Sequence, residues 1–172
     1  GTQSSITAND KLTTTIISRA KRKAMMHAPK VQPIKVDGMD KYIMLVHPWA
    51  ARDLKDDPKW LEAQQNANIR GSKNPIFTGA LGEYDGVILY EYERVQTGNI
   101  GASSANVCQN LLLGKQAACF AVSRPAKHIE QTDDYGNIAG NGIAFYGAVE
   151  KTNFNGKDYG VINVMTGGAV ER

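Results

Sequence analysis

Two cysteines in 172 residues, Cys108 and Cys119, are too few for a disulfide framework, and their spacing fits no zinc signature. Both are expected to be reduced, buried thiols, because free cysteine behaves as a small core hydrophobe. No apolar run approaches the ~20 residues needed to cross a bilayer; the longest stretches, such as residues 42–46 and 87–90, fall far short, and no membrane association is expected. Asn-x-Ser/Thr is absent, and residues 1–5 show neither a starting Met nor a leader pattern. The chain is therefore expected to be of intracellular origin and cut at its first residue. With 17 Gly and 6 Pro scattered along its length and no heptad repeat, it is neither collagen nor coiled coil. A chain of this size buries a core without staples.

Chemical motifs are also missing. Gly114-Lys115 has no glycine at the offset of a phosphate loop, and Gly140-x-Gly142 meets Phe145 where a dinucleotide fingerprint needs its third glycine. Two Gly-x-x-Gly tetrapeptides, residues 79–82 and 98–101, are of a kind common by chance, and an RNA clamp needs a helix pair around them. His27, His47 and His128 lie in separate elements, at no metal-ligand spacing, and are expected at the surface or at helix caps. Asp56-Asp57 is explained by helix capping and Asp133-Asp134 by a turn. Apolar surroundings raise a thiol's pKa, which argues against a cysteine nucleophile. No catalytic residue, metal or cofactor is expected, and the elimination favours a structural or assembly role over an enzyme.

What the chain does have is an uneven charge. Residues 11–36 carry seven cations (Lys11, Arg19, Lys21, Arg22, Lys23, Lys30, Lys35) and no acid, which leaves 13 cations against 17 acids elsewhere. The net +3 is thus +7 in one segment and −4 in the rest. Arg19, Lys21, Arg22 and Lys23 are the candidate DNA-facing residues. Cations in the last turns of a helix also complement its dipole, so both readings of this cluster stand.

Thr7 and Asp10 resemble a capping box, and Leu12, Ile16, Ala20 and Ala24 recur at i+4, with Ile17 and Met25 widening the stripe. The spacing predicts a helix over residues 7–28, ended by Pro29. Residues 31–36 are extended, Asp37-Gly38 is a turn, and residues 42–46 form a strand apolar on both faces, expected to be buried on both. A short helix over residues 49–55 follows Pro48, and Asp57 caps another that starts at Pro58 and runs toward Gly71. Residues 71–82 have no period and are expected to be a loop ordered by packing. Residues 87–95 form a strand, and residues 98–106, rich in Gly, Ala and Ser, a flexible loop. Further strands are predicted at residues 107–113, 117–123, 142–150 and 160–166, with turns at residues 134–136 and at Asn155-Gly156, the latter a strong hairpin signal. Trp49 and Trp60 are expected in the core. The element order is α+β, with no repeating βαβ unit.

Several segments, in order, resemble the major capsid proteins of tailed bacteriophages, specifically the N-four-like family with the Hong Kong 97 type fold. They are Ile6-Thr7-Ala8-Asn9-Asp10-Lys11-Leu12, Ile34-Lys35-Val36-Asp37-Gly38 before Tyr42-Ile43-Met44, and Pro48 with Asp53-Leu54-Lys55. Asn74-Pro75-Ile76-Phe77-Thr78-Gly79-Ala80-Leu81-Gly82 is the most distinctive. Tyr84-Asp85-Gly86-Val87-Ile88, Leu112-Leu113-Gly114-Lys115-Gln116-Ala117, Phe154-Asn155 and Asp158-Tyr159-Gly160-Val161-Ile162 complete the set.

The resemblance implies a shell subunit. Its partners would be other copies of itself in capsomers, packaged double-stranded DNA by weak non-specific contact, and decoration or portal proteins. It would be a virion component assembled in the bacterial host cytoplasm. In the implied division, residues 1–40 hold the spine helix and a peripheral-domain segment, residues 41–149 the axial domain, and residues 150–172 strands returning to the peripheral sheet. The N-terminal arm and the extended hairpin loop of that fold have no counterpart here and would precede residue 1, so the chain resembles a C-terminal half. Two other functions stay open at this point: a non-specific nucleic-acid-binding module built on the basic helix, and an enzyme using Cys108 or Cys119.

Overall fold

A computed structural model describes residues 3–66 and 81–168. Thr7 and Asp10 make the bonds of the expected capping box: the Asp10 carboxylate accepts from the Thr7 N–H at 2.7 Å and from its hydroxyl at 2.8 Å. The helix nevertheless starts later. Asp10 passes its own N–H back to the Thr7 carbonyl as a turn, and its carbonyl accepts from Gly167 N–H at 2.8 Å, so this segment is a strap across the end of the last strand. A Cβ on Gly167 would run into the Thr7 carbonyl, which is why glycine stands at the crossing.

Helix α1 spans Thr14–Met26 and buries Thr14, Ile17, Ala20 and Ala24. Thr13, its N-cap residue, makes no side-chain cap. The cap comes from far along the chain: Asp57 Oδ2 accepts from Thr14 N–H at 2.8 Å and from Thr14 Oγ1 at 2.9 Å. The other Asp57 oxygen accepts from Lys59 N–H at 3.2 Å, in the first turn of the helix that Asp57 precedes. One carboxylate thus satisfies donors at two helix starts, each of which leaves N–H groups without an internal partner.

β1 (Ile34–Val36) and β2 (Met39–Val46) form a hairpin through Asp37-Gly38, both at positive φ. α2 (Pro48–Lys55) and α3 (Pro58–Asn66) follow. Beyond residues 67–80 come β3 (Gly82–Tyr84), β4 (Val87–Glu91), β5 (Thr97–Gly98) and β6 (Val107–Leu113). β7 (Ala118–Asp133) and β8 (Ile138–Lys151) leave this group, and β9 (Asn153–Phe154), β10 (Lys157–Asp158) and β11 (Val161–Gly167) close the described chain. The expected loop at residues 71–82 lies outside the described residues except for Leu81 and Gly82. β5 and a short 3-10 turn occupy part of the expected flexible loop at residues 98–106.

The main sheet has the order β11-β6-β2-β4-β3, with β1 on β2 and β5 on β6. β2 and β4 are parallel, joined through α2 and α3, a crossover that the irregular spacing of apolar residues conceals. β11 pairs antiparallel with β6 along its whole length, in the sheet that β2 and β6 build. The front face carries Tyr42, Met44, Val46, Val87, Leu89, Leu112, Ile162 and Val164 into one core with α1, α2 and Trp60. Within it Asn110, fully buried, accepts from His47 N–H at 3.1 Å and donates to Thr166 Oγ1 at 2.9 Å. Tyr42 donates its hydroxyl to the Val31 carbonyl at 3.0 Å, and burial raises its pKa. The expectation that β2 is buried on both faces holds for one only: Ile43 and Leu45, on the back, are partly exposed.

Candidate assembly surface

β7 and β8 pair along their length into a two-stranded ribbon, longer than the two short strands the sequence predicts at either end of it. The strands expected at residues 117–123 and 142–150 are parts of this one hairpin. At ~3.3 Å per residue it reaches roughly 45 Å from its neck. The neck is pinned where Thr152 Oγ1 donates to the Gln116 carbonyl and Thr152 N–H to that of Ala117.

Pairing places Phe120 opposite Val149 and Val122 opposite Gly147. Two and four residues on from Gly147, Phe145 and Ile143 fall on the same face. The rings of Phe120 and Phe145 stack with centroids 6.4 Å apart, and Phe145 lies over Gly147, where a Cβ would strike its ring. The opposite face is more polar, with Cys119 across from Glu150 and the Arg124 guanidinium 5.4 Å from the Tyr146 ring centroid. The apolar face is bare: Phe120 is 62%, Val149 71% and Ile143 81% exposed. Isolated two-stranded ribbons are marginal in water, and apolar patches of several hundred Å² mark contact sites. The back of the main sheet, with Ile43 and Leu45, is partly exposed as well.

The four cations proposed for DNA are divided by the fold. Lys21 turns toward the sheet, its Nζ 2.8 Å from Asp85 Oδ1. That hydrogen bond is the largest influence on Asp85, whose pKa is lowered despite some burial. Arg19, Arg22 and Lys23 face solvent on the side of α1 away from its buried stripe and form no ion pair among the described residues. Only Lys23 lies in the last helical turn, so the dipole explains one cation of the cluster.

His47 caps α2, accepting from Trp49 N–H at 3.3 Å, and burial lowers its pKa against the pull of Glu91. No group of three or more metal-ligating side chains occurs among the described residues, and no helix there is long and apolar enough to cross a membrane. Cys108 is buried, its pKa raised to about 11 by burial and then by the Asp53 carboxylate, with the Ala50 N–H opposing. Cys119 departs from expectation: it is exposed, because the ribbon that carries it has no core beneath it. A disulfide reagent under native conditions is therefore expected to titrate one thiol quickly, and Cys119→Ser to abolish that fast phase while Cys108 stays silent until the protein unfolds.

The chain is similar to known proteins in sequence and in fold. A family model described as phage capsid protein matches residues 1–170. The major capsid protein of Pseudomonas phage KPP25 is 30% identical over 158 residues, covering 83% of this chain and 42% of that protein. The cyanophage Pam1 capsid structure superposes with a TM-score of 0.84 at 26% identity, covering 98% of this chain and 50% of the other. The capsid of Ralstonia phage GP4 gives 0.74 at 28% identity, with 99% and 51% covered. The chain thus spans about half the length of its relatives or less, and its architecture is the α+β, Hong Kong 97 type fold that the resemblance implied.

Proposed function

Because the chain belongs to the phage capsid protein family, we propose that the protein is a structural head-shell subunit, associating with copies of itself into the icosahedral shell that encloses phage double-stranded DNA. The observation that carries this reading is the ribbon, whose apolar face has nothing to bury it among the described residues. Its role is mechanical rather than catalytic. Assembly in the bacterial host cytoplasm, and contact with decoration or portal proteins, belong to the same reading. The main sheet, built on β2, β4 and β6 and closed by β11, is the axial unit, with residues 1–40 packed on it through α1. The ribbon of β7 and β8 is the peripheral element. Expression of the relatives' full length followed by negative-stain microscopy tests the reading: closed shells support it, dispersed monomers refute it.

Packaged DNA touches this wall through Arg19, Arg22 and Lys23, while Lys21 is held aside by Asp85. Three phosphate contacts per chain give a salt dependence with a log–log slope of about −3, modest for one copy and large when many copies line a lumen. The same small number argues against a free-standing nucleic-acid module. Changing Arg19, Arg22 and Lys23 together to Gln is expected to leave the melting temperature unaltered and to lower DNA retention in particles, more than Lys21→Gln does. Equal retention in all variants would remove the DNA assignment.

A further inference from the structure

Two open grooves flank α1, and they differ in charge. One lies toward the β3–β4 turn, between Arg19, Lys21, Arg22 and Asp85, and its acid is matched by Lys21 within the groove itself. The other runs along α1 against β11. Its first part, about 200 Å³, has Ile16, Ala20, Ile162 and Val164 as apolar lining, with the exposed Arg19 and Lys23 beside them. Its second part, about 570 Å³, continues past Lys23, Ile162 and Asn163, which line both, to His27, Lys157 and Asp158. Arg19, Lys23 and His27 stand four residues apart, a row with steps of about 6 Å along the helix axis. Lys157 joins this row from β10, a separate element, so it does not serve the dipole of α1. Asp158, the one acid of the second part, is already matched: Lys151 Nζ lies 2.7 Å from its Oδ2, and Asn153 Nδ2 donates to its Oδ1 at 3.3 Å. The Lys151 hydrogen bond is the largest cause of the lowered Asp158 pKa, and Lys151 itself does not line the groove. His27 is held through Nδ1 by the Pro29 carbonyl at 3.0 Å. Arg19, Lys23 and Lys157 are thus left with positive charge and no ion pair among the described residues.

We propose that the groove between α1 and β11 seats the phosphodiester backbone of double-stranded DNA, and that Lys157 is a phosphate contact beyond those on α1. The ligand follows from charge complementarity: cations spaced in a row along an open trough, with their neighbouring acid neutralised, match a linear polyanion. Lysine and arginine with no pocket for a base edge position a backbone and read no sequence. Arg22, three residues on from Arg19, adds its charge beside the groove. The site rests on the DNA contact proposed above, but the two can fail separately.

Fluorescence anisotropy of a labelled duplex of mixed sequence, titrated with the chain between about 50 and 200 mM salt, tests this. Lys157→Gln should make the log–log salt slope shallower by about 0.9, the value of one phosphate contact. Lys127→Gln, which removes the same charge from the ribbon, should leave the slope unchanged. Lys151→Gln should weaken binding although Lys151 is not a contact, because it leaves Asp158 unmatched beside Lys157. Adding Asp158→Asn to it should restore the affinity. All four variants change exposed side chains and should keep the wild-type melting temperature. Binding that Arg19, Lys23 and Arg22 variants weaken, but to which Lys157→Gln and Lys151→Gln matter no more than Lys127→Gln, overturns the groove and leaves the DNA contact standing. No binding of the duplex even at the lowest salt overturns both.

Discussion

Excising the ribbon, by joining Ala117 to Thr152 through a two-residue Asn-Gly turn, is expected to abolish shell formation in a protein of the relatives' length while leaving the main sheet folded. The neck makes the excision possible, since Thr152 already bonds to the Ala117 and Gln116 carbonyls. The ribbon gives the core nothing: none of the buried core residues comes from residues 118–151. Its removal should therefore shift the thermal midpoint by no more than about 3 °C, within what a changed loop closure accounts for. The association it loses is large, because apolar area buried between copies contributes ~25 cal/mol per Å². Calorimetry and sedimentation on the same samples read the two effects apart. Shells formed without the ribbon would show that other surfaces suffice.

Asp57→Ala should be the most damaging single substitution of a polar residue. It removes the N-cap of α3, worth about 1 kcal/mol, and leaves the Thr14 N–H and the buried Thr14 hydroxyl unpaired at the start of α1, a further ~1–2 kcal/mol. Burial alone would raise the Asp57 pKa, but the bonds from Thr14 backbone and side chain and from Lys59 outweigh it, and the net direction is down. A carboxylate whose folded pKa lies below its unfolded value, ~3.9, stabilises fully above that value and loses its contribution as pH falls through the folded pKa. Urea unfolding should accordingly separate wild type from variant by about 2–3 kcal/mol at neutral pH, with the gap closing in acid below pH ~4. Asp57→Asn, which keeps an acceptor, should recover part of the loss. A gap that stays constant with pH would mean that the carboxylate charge plays no part.

The residues show where local signals decide a structure and where they do not. Pro58 after Asp57, Pro48 before Trp49 and Asn155-Gly156 each specify a local geometry, and the helices and the β9–β10 turn formed there. The Thr7-Asp10 signal formed too, but its continuation into a helix was overruled by Gly167, a partner far along the chain that pattern reading does not place. Ribbon length was hidden by Pro125 and the charges of β7, which interrupt the alternation that marks a strand. The turn at residues 134–136, midway between the two strands that were legible, was the available sign that they belong to one hairpin. Of the four candidate cations, the sequence could not separate Lys21, since its partner Asp85 comes from a distant turn.

On the proposed function, the ribbon's bare face is where copies meet. The most direct measurement is electron microscopy of the full-length protein beside its ribbon-excised form, both purified from the same host. Closed, uniform shells from the first and none from the second are the predicted result. Identical particles from both, or none from either, would contradict it.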